Sequence, residues 1–241
     1  MKSIPPSRIR KIRIWEPGDG PTEIRSFGDH ETSSLIDLAS NDYLALSRHP
    51  QVTHAAQKAI EDEGVGAGAS RLVTGTRLIH TKLEESLGNW IGKKRVFLFP
   101  SGFQANLAAV IALANRHTNI IADKLIHHSL LTGIYASRAK LYRYSHNNLN
   151  DLERLLILCK SKNNNSILII TESLFSMEGS SPNIKEMANM SKRYGAQLLI
   201  DEAHALGVMG PGGKGLSHHV IDKVTMISGT FGKAFGCGGA F

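Results

Sequence analysis

The 241-residue sequence contains no uninterrupted apolar run of the ~18 residues that a membrane-spanning helix requires, so a helical membrane protein is excluded as a reading. It carries only two cysteines, Cys159 and Cys237, too far apart to form a close-spaced motif. That pattern implies neither a disulfide framework nor a thiolate metal site, and a reducing cytoplasm is the default compartment. The basic start, "MKSIPPSRIRKIRIW", lacks the apolar stretch of a secretory signal. No G-x-x-x-x-G-K-[ST] phosphate loop occurs, so the "DEAH" beginning at Asp201 is not a helicase signature. Internal repeats and low-complexity tracts are also missing.

What is present is the composition of a globular protein, 41% hydrophobic and 20% charged. The net charge of +7 is concentrated early: Lys2, Arg8, Arg10, Lys11 and Arg13 precede the first acid, Glu16. These residues read either as a solvated basic arm or as a contact for a polyanion such as the phosphates of a coenzyme A ester. Aromatics do not interleave with them, and nucleic acid is not expected as a partner. The eleven histidines raise the question of metal, but His127–His128 and His218–His219 are adjacent pairs that do not face one another on a helix. No metal is expected.

From about residue 95, apolar runs alternate with amphipathic segments. Residues 95–99, 119–123, 140–144, 166–172, 197–202 and 223–228 predict buried strands, and 102–115, 148–160 and 183–194 predict helices. That alternation implies an α/β fold with a mainly parallel sheet between helical layers. Upstream, 51–63 and 77–91 predict helices, the second with His80, Leu83, Leu87 and Trp90 along one face. "GVGAGAS" (64–70) follows a predicted helix rather than a strand, which is the wrong context for a dinucleotide loop. The first fifty residues predict a separate small element or arm.

In parallel sheets, ligands gather beyond the carboxyl ends of the strands. "LFPSGFQAN" sets Ser101, Gly102 and Phe103 at a strand-to-helix turn, where free N–H groups make a ready anion site, although most such turns bind nothing. "LLIDEAHALG" sets Asp201 at a strand end with His204 three residues on; a simple cap is the plainer alternative. "SGTFGKAFGCGG" encloses Lys233 among glycines after an apolar run. Burial there depresses a lysine pKa and makes the amine nucleophilic enough for a Schiff base, against the alternative of a surface loop lysine. An anion site, a carboxylate, a histidine and an enclosed amine are the four parts that pyridoxal phosphate needs.

"GASRLVTGTRLIHTKLEESL", "FPSGFQANLA", "DKLIHHSLLTG", "TESLFSMEGS", "DEAHALGVMGPGGKG" and "SGTFGKAFGCGG" together resemble the α-oxoamine synthases, pyridoxal phosphate enzymes of the aspartate aminotransferase fold. The resemblance runs from "LASNDYLALSRHP" (38–50) to the last residue. It implies that Lys233 carries the cofactor, Asp201 pairs with the pyridine nitrogen, His204 meets the phenolic oxygen with Ser176 nearby, and His127 stacks on the ring. It further implies phosphate contacts from Gly102, Phe103 and Thr230, and substrate contacts from His127, Asn41 and Arg10. His128 receives no role and is expected to pack.

By the same resemblance, residues 1–50 form an arm and part of a small domain, and 51–241 the large domain of a homodimeric cytoplasmic enzyme. The implied reaction condenses L-alanine with a pimeloyl thioester, releasing coenzyme A and carbon dioxide; a sibling reaction of glycine with acetyl-CoA, or an inactive fragment, remain alternatives. The family continues past Phe241 into a C-terminal domain, so the chain alone is expected to be marginally stable and inactive.

Overall fold

The computed structural model describes residues 9, 11–27, 34–162 and 166–241. Its first portion is a small antiparallel sheet of three short strands, β1 (Trp15–Pro17), β2 (Glu23–Ser26) and β3 (Leu35–Ile36), in the order β1-β2-β3. These strands lie within the first fifty residues, where a small element or arm is expected. Two helices follow, α1 (Pro50–Glu63) and α2 (Leu78–Ile91), with "GVGAGAS" leaving the end of α1 and not a strand. The expected stripe on α2 is shifted. Leu87, Gly88 and Ile91 are buried, whereas His80 accepts the Arg77 N–H at 3.0 Å and so serves the helix start instead of the core.

The remainder alternates as the apolar runs require: α3 (Gly102–Leu113), β4 (Thr118–Asp123), α4 (His128–Ser137), β5 (Lys140–Tyr144), α5 (Leu149–Lys162), β6 (Ser166–Glu172), α6 (Ile184–Tyr194), β7 (Gln197–Asp201) and β8 (Met226–Ser228). The five strands form one parallel sheet in the order β5-β4-β6-β7-β8. Strands covered on both faces lose the alternation of an exposed sheet, which is why β4 is buried at every position and β6 at all but its first. Ile121, Ile169 and Ile200 point into a core shared with α5 and α6, while Ile120, Leu168 and Leu199 point into one shared with α3 and α4. On that second face α3 and α4 approach closely because residue 133 is glycine. A Cβ there would lie 2.8 Å from the Cβ of Val110.

Two expected strands are shortened. Residues 223–228 become a strand only at Met226, because a 3-10 helix occupies His218–Lys223. Of 95–99, only Phe99 is paired, in an antiparallel bridge to Ala240. An extended segment becomes a strand only where its N–H and C=O groups meet a neighbour's. Between that segment and β8 lies an apolar cavity of about 330 Å³ instead, lined by Val96, Phe97, Ile227 and Phe241 among others. Ala240 itself is bridged on both sides, to Phe99 and to Thr230.

The topology fixes where chemistry can occur. From β4 the chain goes outward to β5, returns to the other side of β4 as β6, and continues to β7 and β8. The switch point therefore lies between the carboxyl ends of β4 and β6, where neighbouring loops diverge and leave a crevice.

Candidate active site

A pocket of about 200 Å³ with ionisable side chains on its walls opens at that crevice, and most of the charged groups singled out in the sequence converge on it. Three sides are built by strand exits. The β4 exit delivers His127, the β6 exit Glu172, and the β7 exit Asp201 and His204. The fourth is the glycine-rich turn after β8, which delivers Lys233.

That turn is stapled by its own backbone. Phe231 N–H donates to Gly239 O and Cys237 N–H to Phe231 O, both at 2.9 Å. The Thr230 hydroxyl donates to Gly239 O and accepts from Gly232 N–H, each at 3.1 Å, so it braces the turn while lining the pocket. Gly236 has φ of 64°, and a Cβ at that position would lie 2.2 Å from the backbone nitrogen of Ser47. Only glycine lets the turn pack against the 46–47 segment.

Lys233 Nζ lies 2.6 Å from His204 Nε2. Burial lowers the lysine pKa below its ordinary value, against the opposing pull of the Asp201 and Glu172 charges. Burial, followed by the Lys233 charge, also pushes His204 down to about 4, so its ring is neutral at pH 7. On the other side of the ring, Nδ1 lies 2.7 Å from the Tyr43 hydroxyl, which donates to Asn41 Oδ1 at 3.1 Å. Each atom is satisfied if donation runs from Lys233 to His204 Nε2, from Nδ1–H to Tyr43, and from Tyr43 to Asn41. Asn41 is thus tied to the site through Tyr43, 161 residues from His204 in sequence.

Asp201 is 6% exposed and held as an acceptor. Its Oδ2 takes Asn106 Nδ2–H at 2.7 Å and its Oδ1 takes the Ala203 N–H at 2.9 Å. Asn106 also donates to Ser129 Oγ at 3.0 Å, and Ser129 Oγ lies 2.7 Å from His127 Nδ1. Asp201 and His127 therefore belong to one hydrogen-bonded network across the face of the sheet. His127 caps α4 through the Ser129 N–H, and its ring lines the pocket. His128, expected to pack, is exposed, because the first residue of α4 faces away from the sheet.

The start of α3 closes the pocket. Ser101 caps the helix by accepting Gln104 N–H at 3.3 Å, and Gly102 and Phe103 line the pocket with first-turn N–H groups that have no intrahelical acceptor. A Cβ on Gly102 would lie 3.5 Å from Thr230, so glycine keeps the space between the two open. Ser176, by contrast, is exposed on the loop after β6 and does not line the pocket. Arg10 lies outside the described residues.

A second network braces the β4 exit. Asp123, fully buried, accepts from Leu125 and Asn147 N–H at 2.9 Å and lies 3.0 Å from His146 Nδ1, while His146 Nε2 lies 2.7 Å from Ser180 Oγ. These bonds tie the exits of β4, β5 and β6 together and fix the turn that delivers His127.

Three contributors went unread in the sequence. Glu172 ends "SILIITE" just as Asp201 ends its own apolar run, and the same strand-end rule finds it. Asn106 lies inside a helix and Tyr43 in an exposed loop, and neither carries a local signal.

Comparison with known proteins identifies the family. Residues 33–241 match the family Aminotransferase class I and II. An 8-amino-7-oxononanoate synthase from Anaeromyxobacter sp. (strain Fw109-5) is 42% identical over 209 residues, covering 86% of this chain and 52% of the relative. A Bacillus cereus (strain B4264) relative is 40% identical across 97% of this chain, which spans 58% of that protein's length. Among solved structures, serine palmitoyltransferase from Sphingomonas wittichii superposes with a TM-score of 0.88 at 30% identity, covering 97% of this chain and 58% of that one. An 8-amino-7-oxononanoate synthase from Francisella tularensis superposes with a TM-score of 0.69 at 31% identity, covering 84% and 56%. A serine palmitoyltransferase from S. paucimobilis with bound PLP-myriocin superposes at 0.87 and 29% identity, covering 95% and 56%.

Proposed function

The chain belongs to the class I and II aminotransferase family, and on that premise we propose that it carries the cofactor site of an α-oxoamine synthase that joins L-alanine to a pimeloyl thioester to give 8-amino-7-oxononanoate. The observation that carries this reading is the convergence of Lys233, His204 and Asp201 opposite the open first turn of α3. Those residues fit pyridoxal phosphate by the chemistry of the donor set. The N–H groups of Gly102 and Phe103 suit a phosphate, the Asp201 carboxylate, with one donor on each oxygen and lone pairs left over, suits a protonated ring nitrogen, and Lys233 offers an amine of lowered pKa. Bound there, the cofactor supplies an electron sink for the α-carbanion of an amino acid.

The chain's own residues then have separable tasks. Lys233 would take the α-proton of the amino acid at Nζ. Neutral His204 would meet the phenolic oxygen and His127 the ring face, while Asn41 and Arg10 would contact substrate. Ser176, exposed in this conformation, reaches the site only if the 173–179 loop moves. Residues 1–50 serve as arm and part of a small domain, with 51–241 as the large domain. The exposed apolar side chains of Val65, Leu72, Val73 and Leu78 support a homodimer built on that segment.

Amino acid and thioester are tested directly by mixing the protein with alanine, glycine or serine and pimeloyl, acetyl or palmitoyl thioesters, and measuring free thiol. Release with alanine and the pimeloyl thioester supports the assignment. Release only with glycine and acetyl-CoA, or serine and palmitoyl-CoA, makes it a sibling synthase. A folded protein that binds the cofactor and releases thiol with no pair is an inactive fragment.

A further inference from the structure

Two carboxyl groups, not one, face Lys233. Glu172 ends β6 as Asp201 ends β7, and the two are direct partners in the parallel register. Side chains at paired positions of neighbouring strands leave the sheet on the same face about 5 Å apart, so both carboxyls enter the same pocket. Both are nearly out of contact with water, at 4% and 6% exposure. Their hydrogen bonding differs. Each Asp201 oxygen has an N–H donor, whereas Glu172 takes one, from the His127 backbone to Oε1 at 2.5 Å. Among the described residues, no hydrogen bond reaches Glu172 Oε2.

Two like charges this close in a dry site cannot both be ionised cheaply, and the proton goes to the carboxyl with fewer donors. The groups facing Glu172 are Asp201 from β7, Asp123 from β4, the His127 N–H at the start of α4 and Lys233 from the glycine turn. Of these only Lys233 is cationic, and it donates to His204. Burial, followed by the Asp201 charge, raises the Glu172 pKa to about 8.

We infer that Glu172 is held as a neutral carboxylic acid and presents Oε2–H to the phenolic oxygen of the bound cofactor, the oxygen that His204 also meets. The identity of the acceptor rests on the pyridoxal phosphate reading; the protonation state does not. A neutral acid is a donor that a carboxylate cannot be. It stabilises negative charge on the ring oxygen without adding a second anion beside Asp201.

Infrared difference spectroscopy separates the two parts. In the cofactor-free protein at pH 7, the expected result is a carboxylic acid C=O band that shifts in D2O, is lost in Glu172→Gln, persists in Asp201→Asn and fades as pH rises through about 8. Pyridoxal 5′-phosphate should shift the band, whereas the analogue lacking the ring oxygen, 3-deoxypyridoxal phosphate, should not. Absence of the band at pH 7, or its survival in Glu172→Gln, overturns the inference. So does capture of pyridoxal phosphate by Lys233 with the band unmoved, an outcome that leaves the cofactor reading intact. If Glu172→Gln does not fold, 13C-carboxyl glutamate labelling of the wild-type protein moves a glutamate band and leaves an aspartate band in place. A band that does not move then overturns the inference.

Discussion

Helices α1 and α3 are similar in length, yet α1 buries no residue and α3 buries Ala105, Asn106, Ala109 and Val110. The contrast extends to their surroundings. Residues 60–79 expose Ile60, Val65, Leu72, Val73 and Leu78, whereas β4, β6 and β7 are sealed between two cores. The sealed half holds every residue that lines the candidate site, because a pocket at strand ends inherits the rigidity of the strands. The open half has apolar side chains without partners among the described residues, which is the composition of a surface that meets another chain.

The largest expected difference between the halves is in stability. Leu168→Ala removes a side chain packed against both sheet neighbours and α3–α4, and should cost about 2–5 kcal/mol. Leu72→Ser, on a side chain 97% exposed, should stay within about 0.5 kcal/mol. Denaturant unfolding of both variants tests this. Equal losses would erase the distinction. Sedimentation of Leu72→Ser and Val73→Ser sharpens it, since a weakened dimer with an unchanged unfolding midpoint in the monomer range marks the open half as the contact.

Within the sealed half, Asp201→Asn should leave the fold in place and weaken cofactor chemistry. Removing a charge-assisted partner costs ~1.5–3 kcal/mol, which is ~10-fold or more in α-proton exchange of alanine. Proton exchange in D2O, followed by NMR in a context competent for turnover, reads the effect. An unchanged rate would remove Asp201 from its role.

The smallest effect expected is a slope. Glu172 binds its proton more tightly in the folded state, so between pH 4.5 and about 8 the folded protein holds a proton that the unfolded chain has lost. Its contribution to stability is full below pH 4.5 and declines as pH rises through that window. His204 acts in the opposite sense. With its pKa lowered from 6.5 to about 4, the folded state resists protonation and stability falls as pH drops from 6.5 to 4. Above pH 6.5 the Glu172 slope stands alone of the two, and Glu172→Gln should flatten it. Urea midpoints of both proteins from pH 6.5 to 8 measure the difference; parallel curves would contradict the assignment.

The sealed half was also the legible half. The runs at 119–123 and 166–172 became β4 and β6 within a residue, because a strand covered on both faces is largely apolar, and 140–144 became β5 although it is the half-exposed edge strand. The run at 95–99 is equally apolar but has only Ala240 beside it, so its strand depends on a pairing that its own residues do not encode. Lys233 and Asp201 could be found because each follows an apolar run. Tyr43 could not, because its hydrogen bond to His204 joins two segments that meet only once the chain has folded.

The central claim is that the carboxyl edge of the sheet holds pyridoxal phosphate through Lys233. Incubating the protein with pyridoxal phosphate, reducing with borohydride and mapping the peptides tests it most directly. The account predicts a single modified peptide containing Lys233, lost in Lys233→Ala while the circular dichroism of the sheet region is retained. Label on another lysine, or none in a protein shown to be folded, would contradict it.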